Sequence, residues 1–128
     1  MNRHHEYAQG LYEKALDDFH ALESLINNQK IRDWLYGFHA QQAVEKAIKA
    51  VLAAKNLTFP FTHDIEKLLG LLTNNKLEHP PHVSILIRLT SFGATLRYDF
   101  FNAEELPASR EILLKIVAEI LQWASNNI

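Results

Sequence analysis

Between positions 42 and 49 the chain sets out an amide, a carboxylate and two ammonium groups: Gln42, Glu45, Lys46 and Lys49. On a helix these positions share one face. Two lysines side by side can hold a phosphate or another anion, and a carboxylate between them can fix their positions. Gln42–Lys46 and Glu45–Lys49 are also i,i+4 pairs, worth only about 0.2–0.5 kcal/mol each on an exposed helix. A solvated face is therefore the plain reading of this stripe. Against it, Leu35 and Phe38 lie on the same azimuth one and two turns earlier. A face that begins apolar and ends charged suits a cleft or a partner surface, so the stripe is read as a semi-buried polar network that fixes helix packing and borders such a surface.

Two further places hold chemistry-bearing side chains. Arg97 and Tyr98 pair a bidentate cation with an aromatic hydroxyl. They read either as structure, Arg97 pairing with Glu45 or Asp99, or as part of an anion pocket with Lys46 and Lys49 in which Tyr98 stacks on a nucleotide. His63 follows Thr62, a good helix N-cap, so it is either a capping and packing residue or a pocket residue beside Arg97. Arg32 and His39 share a face of the second helix, a spacing expected by chance in a chain with seven histidines.

Other chemistries find no support. There is no cysteine, hence no thiolate or disulfide. No H-x3-H or H-E-x-x-H spacing points to a metal, and no glycine-rich phosphate loop or G-x-S-x-G turn occurs. No cofactor is implied.

Positioning these groups falls to helices. Ala8, Tyr12, Ala15, Phe19, Leu22 and Ile26 recur at 4-3-4-3-4 spacing, one apolar stripe. A second helix runs from about Ile31 to Lys55 and ends before Pro60; its six alanines from Ala40 to Ala54 allow close approach on several sides, so it is placed at the centre. Thr62 caps a short third helix through "HDIEKLLGLL". Pro81 opens a fourth at its first position, which decays near Arg97. Pro107 or Ser109 starts a fifth, with Ile112, Leu113, Ile116, Val117, Ile120 and Trp123 as its stripe. No strand is expected. The fold class is all-α, a five-helix antiparallel up-and-down bundle.

The bulk numbers agree with one domain over residues 1–128. Apolar residues make up 48% and charged ones 22%, a globular composition, and the net charge of −2 leaves any anion site to a local cluster. The N-terminal residues lack the apolar run of a signal peptide and no segment suits a membrane span, so a cytoplasmic location is expected.

The stretch "FHAQQAVEKAIKAVLAAKNLTFPFTHDIEKLLGLL" resembles the HEPN domain. Gln41, Gln42, Glu45, Lys46 and Lys49 match the family's Q-Q-A-x-E-K-A-x-K helix. Thr62, His63, Asp64 and Ile65 match its T-H-D-[IL] helix start, and Arg97–Tyr98 match its later R-Y. The resemblance covers essentially the whole chain. It implies a helical bundle, usually dimeric, often paired with a minimal nucleotidyltransferase; some members are metal-independent endoribonuclease toxins and others bind without cutting. Catalytic members carry R-x(4–6)-H, a cation for the phosphate and a base for the 2′-hydroxyl. Here the matching positions hold Asn102, Ala103 and Glu104. The resemblance therefore implies a non-catalytic, dimeric module that binds a nucleotide, RNA or a nucleotidyltransferase. The alternative is a ribonuclease toxin of a toxin–antitoxin pair.

Overall fold

The computed structural model describes residues 3–93 and 105–128. Among these residues five α-helices follow in order: α1 (Arg3–Leu25), α2 (Asp33–Ala54), α3 (Ile65–Asn74), α4 (Val83–Arg88) and α5 (Arg110–Asn126), with a 3₁₀ turn at Thr90–Phe92 after α4. No strand occurs among the described residues. The all-α bundle expected from periodicity is the fold.

Contacts at the two ends give the directions. Near its start α1 brings His4 and Tyr7 to Ala53 and Asn56 at the end of α2. At the other end Arg110, the first residue of α5, bonds the carbonyls of Leu25, Asn28 and Ile31 and the carboxylate of Asp33. Ile128 packs back on Ala8 and Ala53. Helix α1 is thus antiparallel to both α2 and α5. Arg110 also lies 4.9 Å from the Tyr36 ring, whose hydroxyl donates to the Arg110 carbonyl at 3.4 Å. Burial pushes the Tyr36 phenol up to about 12, with Arg110 opposing and Glu111 adding to the shift.

Helix α2 is the central element, packed by α1, α5, α3 and the 3₁₀ turn. Ala40, Ala43, Ala47, Ala50, Ala53 and Ala54 are all buried, and Val44, Ile48, Val51 and Leu52 fill the spaces between neighbours. The helix stops by its own backbone chemistry. Asn56 takes a left-handed φ of 58°, its N–H reaches the Ala53 carbonyl, and the Leu57 N–H reaches Leu52. Asparagine tolerates that conformation better than most side chains. Lys76 and Leu77 end α3 in the same way, with Lys76 at φ 56°.

Three boundaries differ from the sequence reading. The N-cap of α3 is Asp64, not Thr62: Asp64 accepts from the N–H groups of Glu66 and Lys67, while Thr62 accepts from the N–H of Asp64 itself. Pro81 does not open α4. His82 stands between it and Val83 in the left-handed region, at φ 64°, which interrupts any helix through Pro81. Helix α4 is then only six residues and tightens into the 3₁₀ turn at Thr90–Phe92; the expected decay near Arg97 lies outside the described residues. Ser109 caps α5, accepting from the N–H of Ile112.

Two glycines separate packing from helix propensity. A Cβ on Gly37 would stand 2.4 Å from the Phe92 ring, whereas one on Gly70 would meet nothing within 4 Å. Gly37→Ala is expected to lower stability by about 1–3 kcal/mol through overpacking. Gly70→Ala, in a helix interior with open space, is expected to raise it by about 0.5–1 kcal/mol. Urea melts of the two variants check this; shifts of the same sign would contradict the Gly37–Phe92 contact.

Candidate functional site

The polar face of α2 divides into two clusters, each built on a buried carboxylate. Glu45, 4% exposed, accepts from Gln41 Nε2 at 2.8 Å, Lys49 Nζ at 2.8 Å and His63 Nδ1 at 2.9 Å. Gln41 is itself fully buried; it also donates to the His63 carbonyl and accepts from Gln42. The second carboxylate, Asp18 on α1, is 8% exposed. It meets Lys46 Nζ at 2.7 Å and His39 Nδ1 at 2.9 Å. Carboxylates only accept, so both histidines carry a proton on Nδ1.

Burial alone would push the Glu45 carboxyl up. The hydrogen bonds from Lys49, Gln41 and His63, with the Lys49 charge, more than offset that and hold it below its ordinary value. Glu45 is therefore a carboxylate at neutral pH, tying α2 to the segment before α3. The Asp64 cap assists: it starts α3 one residue after His63, leaving the His63 carbonyl free for Gln41 and turning the ring onto Glu45.

Both lysines reach an open cleft of about 360 Å³ between α1 and the segment after α2. Tyr7, Leu11 and Lys14 line it from α1, and Phe59, Pro60 and Phe61 from the other side. Lys49 Nζ lies 5.8 Å from the Phe59 ring and 5.9 Å from that of Phe61, within cation–π range. Phe61 is 96% exposed and Tyr7 57%. A larger hollow nearby, lined by His5, Glu6, Glu13 and Ile128, holds two carboxylates and suits an anion less.

Of the residues singled out by sequence, Gln42, Glu45, Lys46, Lys49 and His63 come together here. Lys46 does so through Asp18 rather than through Glu45. Arg97 and Tyr98, with Asn102, lie outside the described residues. Sequence reasoning overlooked Asp18 and left His39 to chance. The signal for Asp18 was present: it stands three residues after Ala15 and four before Leu22, so it sits within the apolar stripe of α1. His39 bonds Asp18; Arg32, its formal partner by spacing, is exposed and precedes the first turn of α2.

The model of the HEPN domain matches residues 8–128. The chain belongs to the HEPN family. No curated protein and no solved structure gives a significant match. The HEPN helix with its Gln41, Glu45, Lys46 and Lys49 is the element that forms both clusters. Among the described residues no group of three histidine or acidic side chains is arranged to hold a metal ion, and no helix is long and apolar enough to cross a membrane.

The Glu45 cluster has a measurable pH signature. A carboxyl whose folded-state value is lowered contributes stability above its unfolded value, and that stability is lost as pH falls through the folded one. At neutral pH Glu45→Gln is expected to cost about 3–5 kcal/mol, the range for breaking a buried pair by removing one partner. The gap to wild type should narrow as pH falls below the ordinary 4.5 of a glutamate. Urea unfolding between about pH 3 and pH 7 reads it; two parallel stability curves would show that Glu45 is not the charged centre of this cluster.

Proposed function

We propose that this HEPN chain is a binding module that takes a nucleotide or single-stranded RNA in the lysine–aromatic cleft without cutting it. The observation that carries this is the exposed Phe61 ring beside Lys14, Lys46 and Lys49 on one cleft. Stacking platforms set among cations are how single strands are held without sequence preference. Bases stack on the ring and phosphates meet the ammonium groups. Phe61→Ala is expected to weaken binding of a fluorescent oligouridylate about 5- to 100-fold, the range of one lost base stack. The fold should be untouched, since the ring is almost wholly in solvent. Anisotropy titration with a circular dichroism control decides it; an unchanged affinity would remove the cleft from consideration.

One observation favours ribonuclease activity as a second reading. His63, its side chain 42% exposed, has Nδ1 held by Glu45 and no partner for Nε2 among the described residues. An imidazole so oriented is equipped to act as a general base. The missing family histidine weighs on the other side. RNA incubated with EDTA-treated protein should stay intact. Cleavage that disappears in His63→Gln would replace binding with catalysis.

Self-association also belongs to the proposal, as does a minimal nucleotidyltransferase partner suggested by the family. Trp34 is 38% exposed at the start of α2, beside half-buried Leu35 and Phe38. Sedimentation at micromolar concentration is expected to give a dimer, and Trp34→Lys to shift it toward monomer. A single-chain mass for wild type at all concentrations would refute the dimer.

A further inference from the structure

The two clusters at the cleft share a plan that anion binding alone does not require. Each buried carboxylate is held from both sides by one lysine and one histidine: Asp18 by Lys46 and His39, Glu45 by Lys49 and His63. With neutral imidazoles the charges of each cluster cancel. Lys14 is then the one lysine of the cleft lining with no ion pair among the described residues. A phosphate entering the cleft must draw Lys46 and Lys49 toward itself. That leaves two carboxylates in a place where an unpaired charge is costly. The histidines are already in position to take over, each with Nδ1 at 2.9 Å from its carboxylate.

We infer that the cleft takes up protons together with its anion, His39 and His63 becoming cations on Asp18 and Glu45 as Lys46 and Lys49 turn to the ligand phosphates. This rests on the binding proposed above and names its regulation. The proton comes from solvent and adds to Nε2, because Nδ1 already carries the hydrogen shared with the carboxylate. Both rings are open enough to receive it, with side chains 26% and 42% exposed. The surroundings add little that competes. His39 faces Asp18 of α1 and, through it, Lys46. His63 faces Glu45 and Lys49 of α2; the neighbouring Asp64 is engaged by the N–H groups of Glu66 and Lys67. On the side of the 3₁₀ turn, Thr90 offers a neutral hydroxyl to the N–H of Ile65. The hydrogen bonds from Lys49, Gln41 and His63 hold the Glu45 carboxyl below its ordinary value and keep it charged throughout the histidine range. Binding is thus tighter at the acidic end of that range and weaker at the basic end.

The probe is oligouridylate, whose phosphodiesters and bases do not titrate where histidine does, so any proton counted belongs to the protein. Calorimetric titration in two buffers of different ionisation enthalpy gives the proton count directly. Net uptake is expected, with affinity falling about tenfold per unit rise in pH for each full proton taken up. His39→Gln and His63→Gln each keep a donor for the carboxylate but cannot become cations. Each should lose part of the uptake, and the double variant should bind with an affinity independent of pH. Binding without uptake, or uptake that persists in the double variant, overturns the inference and leaves the binding itself standing. No binding at any pH removes both.

Discussion

A carboxylate taken out of water has to be given donors, and the arrangement around Glu45 follows from that need. One oxygen takes Gln41 and His63, the other Lys49. Gln41 and Lys49 lie one turn to either side on the same helix, so they are supplied by the periodicity of α2 itself. His63 is not. It arrives from the segment that follows α2, which must fold back along the helix to bring it there. Satisfying one buried charge therefore sets the path of residues 55–64, the start of α3 and one wall of the cleft. Gln41 reinforces the same path by holding the His63 carbonyl, so the segment is fixed at its backbone as well as its side chain.

Around this polar seam the packing is tight because α2 is narrow. Its alanines let α1 approach closely, and Gly37 lets the Phe92 ring sit against its backbone. Asp18 of α1 is carried into the interface by that approach. There it is met by His39 and Lys46, which stand one turn before and one turn after Ala43. The two carboxylates thus belong to different packings, α1 on α2 and the 55–64 segment on α2. Yet they use the same pair of partner types, and their lysines open on a common cleft. Arg110 closes the opposite end of the bundle with backbone carbonyls and the exposed Asp33 carboxylate.

The long helices were legible because burial imposes its period on them: the stripes of α1 and α5 and the alanines of α2 can be read without a partner. The α2 face was legible as a semi-buried polar network, because the alanines around it leave few directions open to water, but its partners were not, since i,i+4 spacing is the same on either side of a protein surface. Only the docking of His63 and Asp18 removes it from water, and neither contact is local in sequence. Asp18 was open to detection as a carboxylate inside an apolar stripe. The start of α3 was misplaced for a chemical reason: Thr62 and Asp64 both accept backbone hydrogen bonds, and the choice between them is made by His63 reaching Glu45. The stop at Lys76 and the break at His82 depend on left-handed residues whose side chains give no warning of it.

Stability alone does not account for a cluster of this kind. A buried ion pair is often no more stabilising than well-packed apolar residues of the same volume. Positions 41, 45 and 49 lie on a helix already rich in alanine and β-branched side chains, so apolar residues there would have neighbours to pack on. What they would not supply is a charge that can be turned outward. Lys46 and Lys49 are held at the cleft edge by short bonds to buried carboxylates, and in the proposed binding the histidine on each carboxylate takes the place of its lysine. The same bonds that fix the packing of α1, α2 and the 55–64 segment therefore keep Lys49 oriented beside the Phe59 and Phe61 rings and Lys46 on the lining of the same cleft. In the proposed binding, fold and site are two uses of one set of contacts, and a substitution that abolishes the charges changes both.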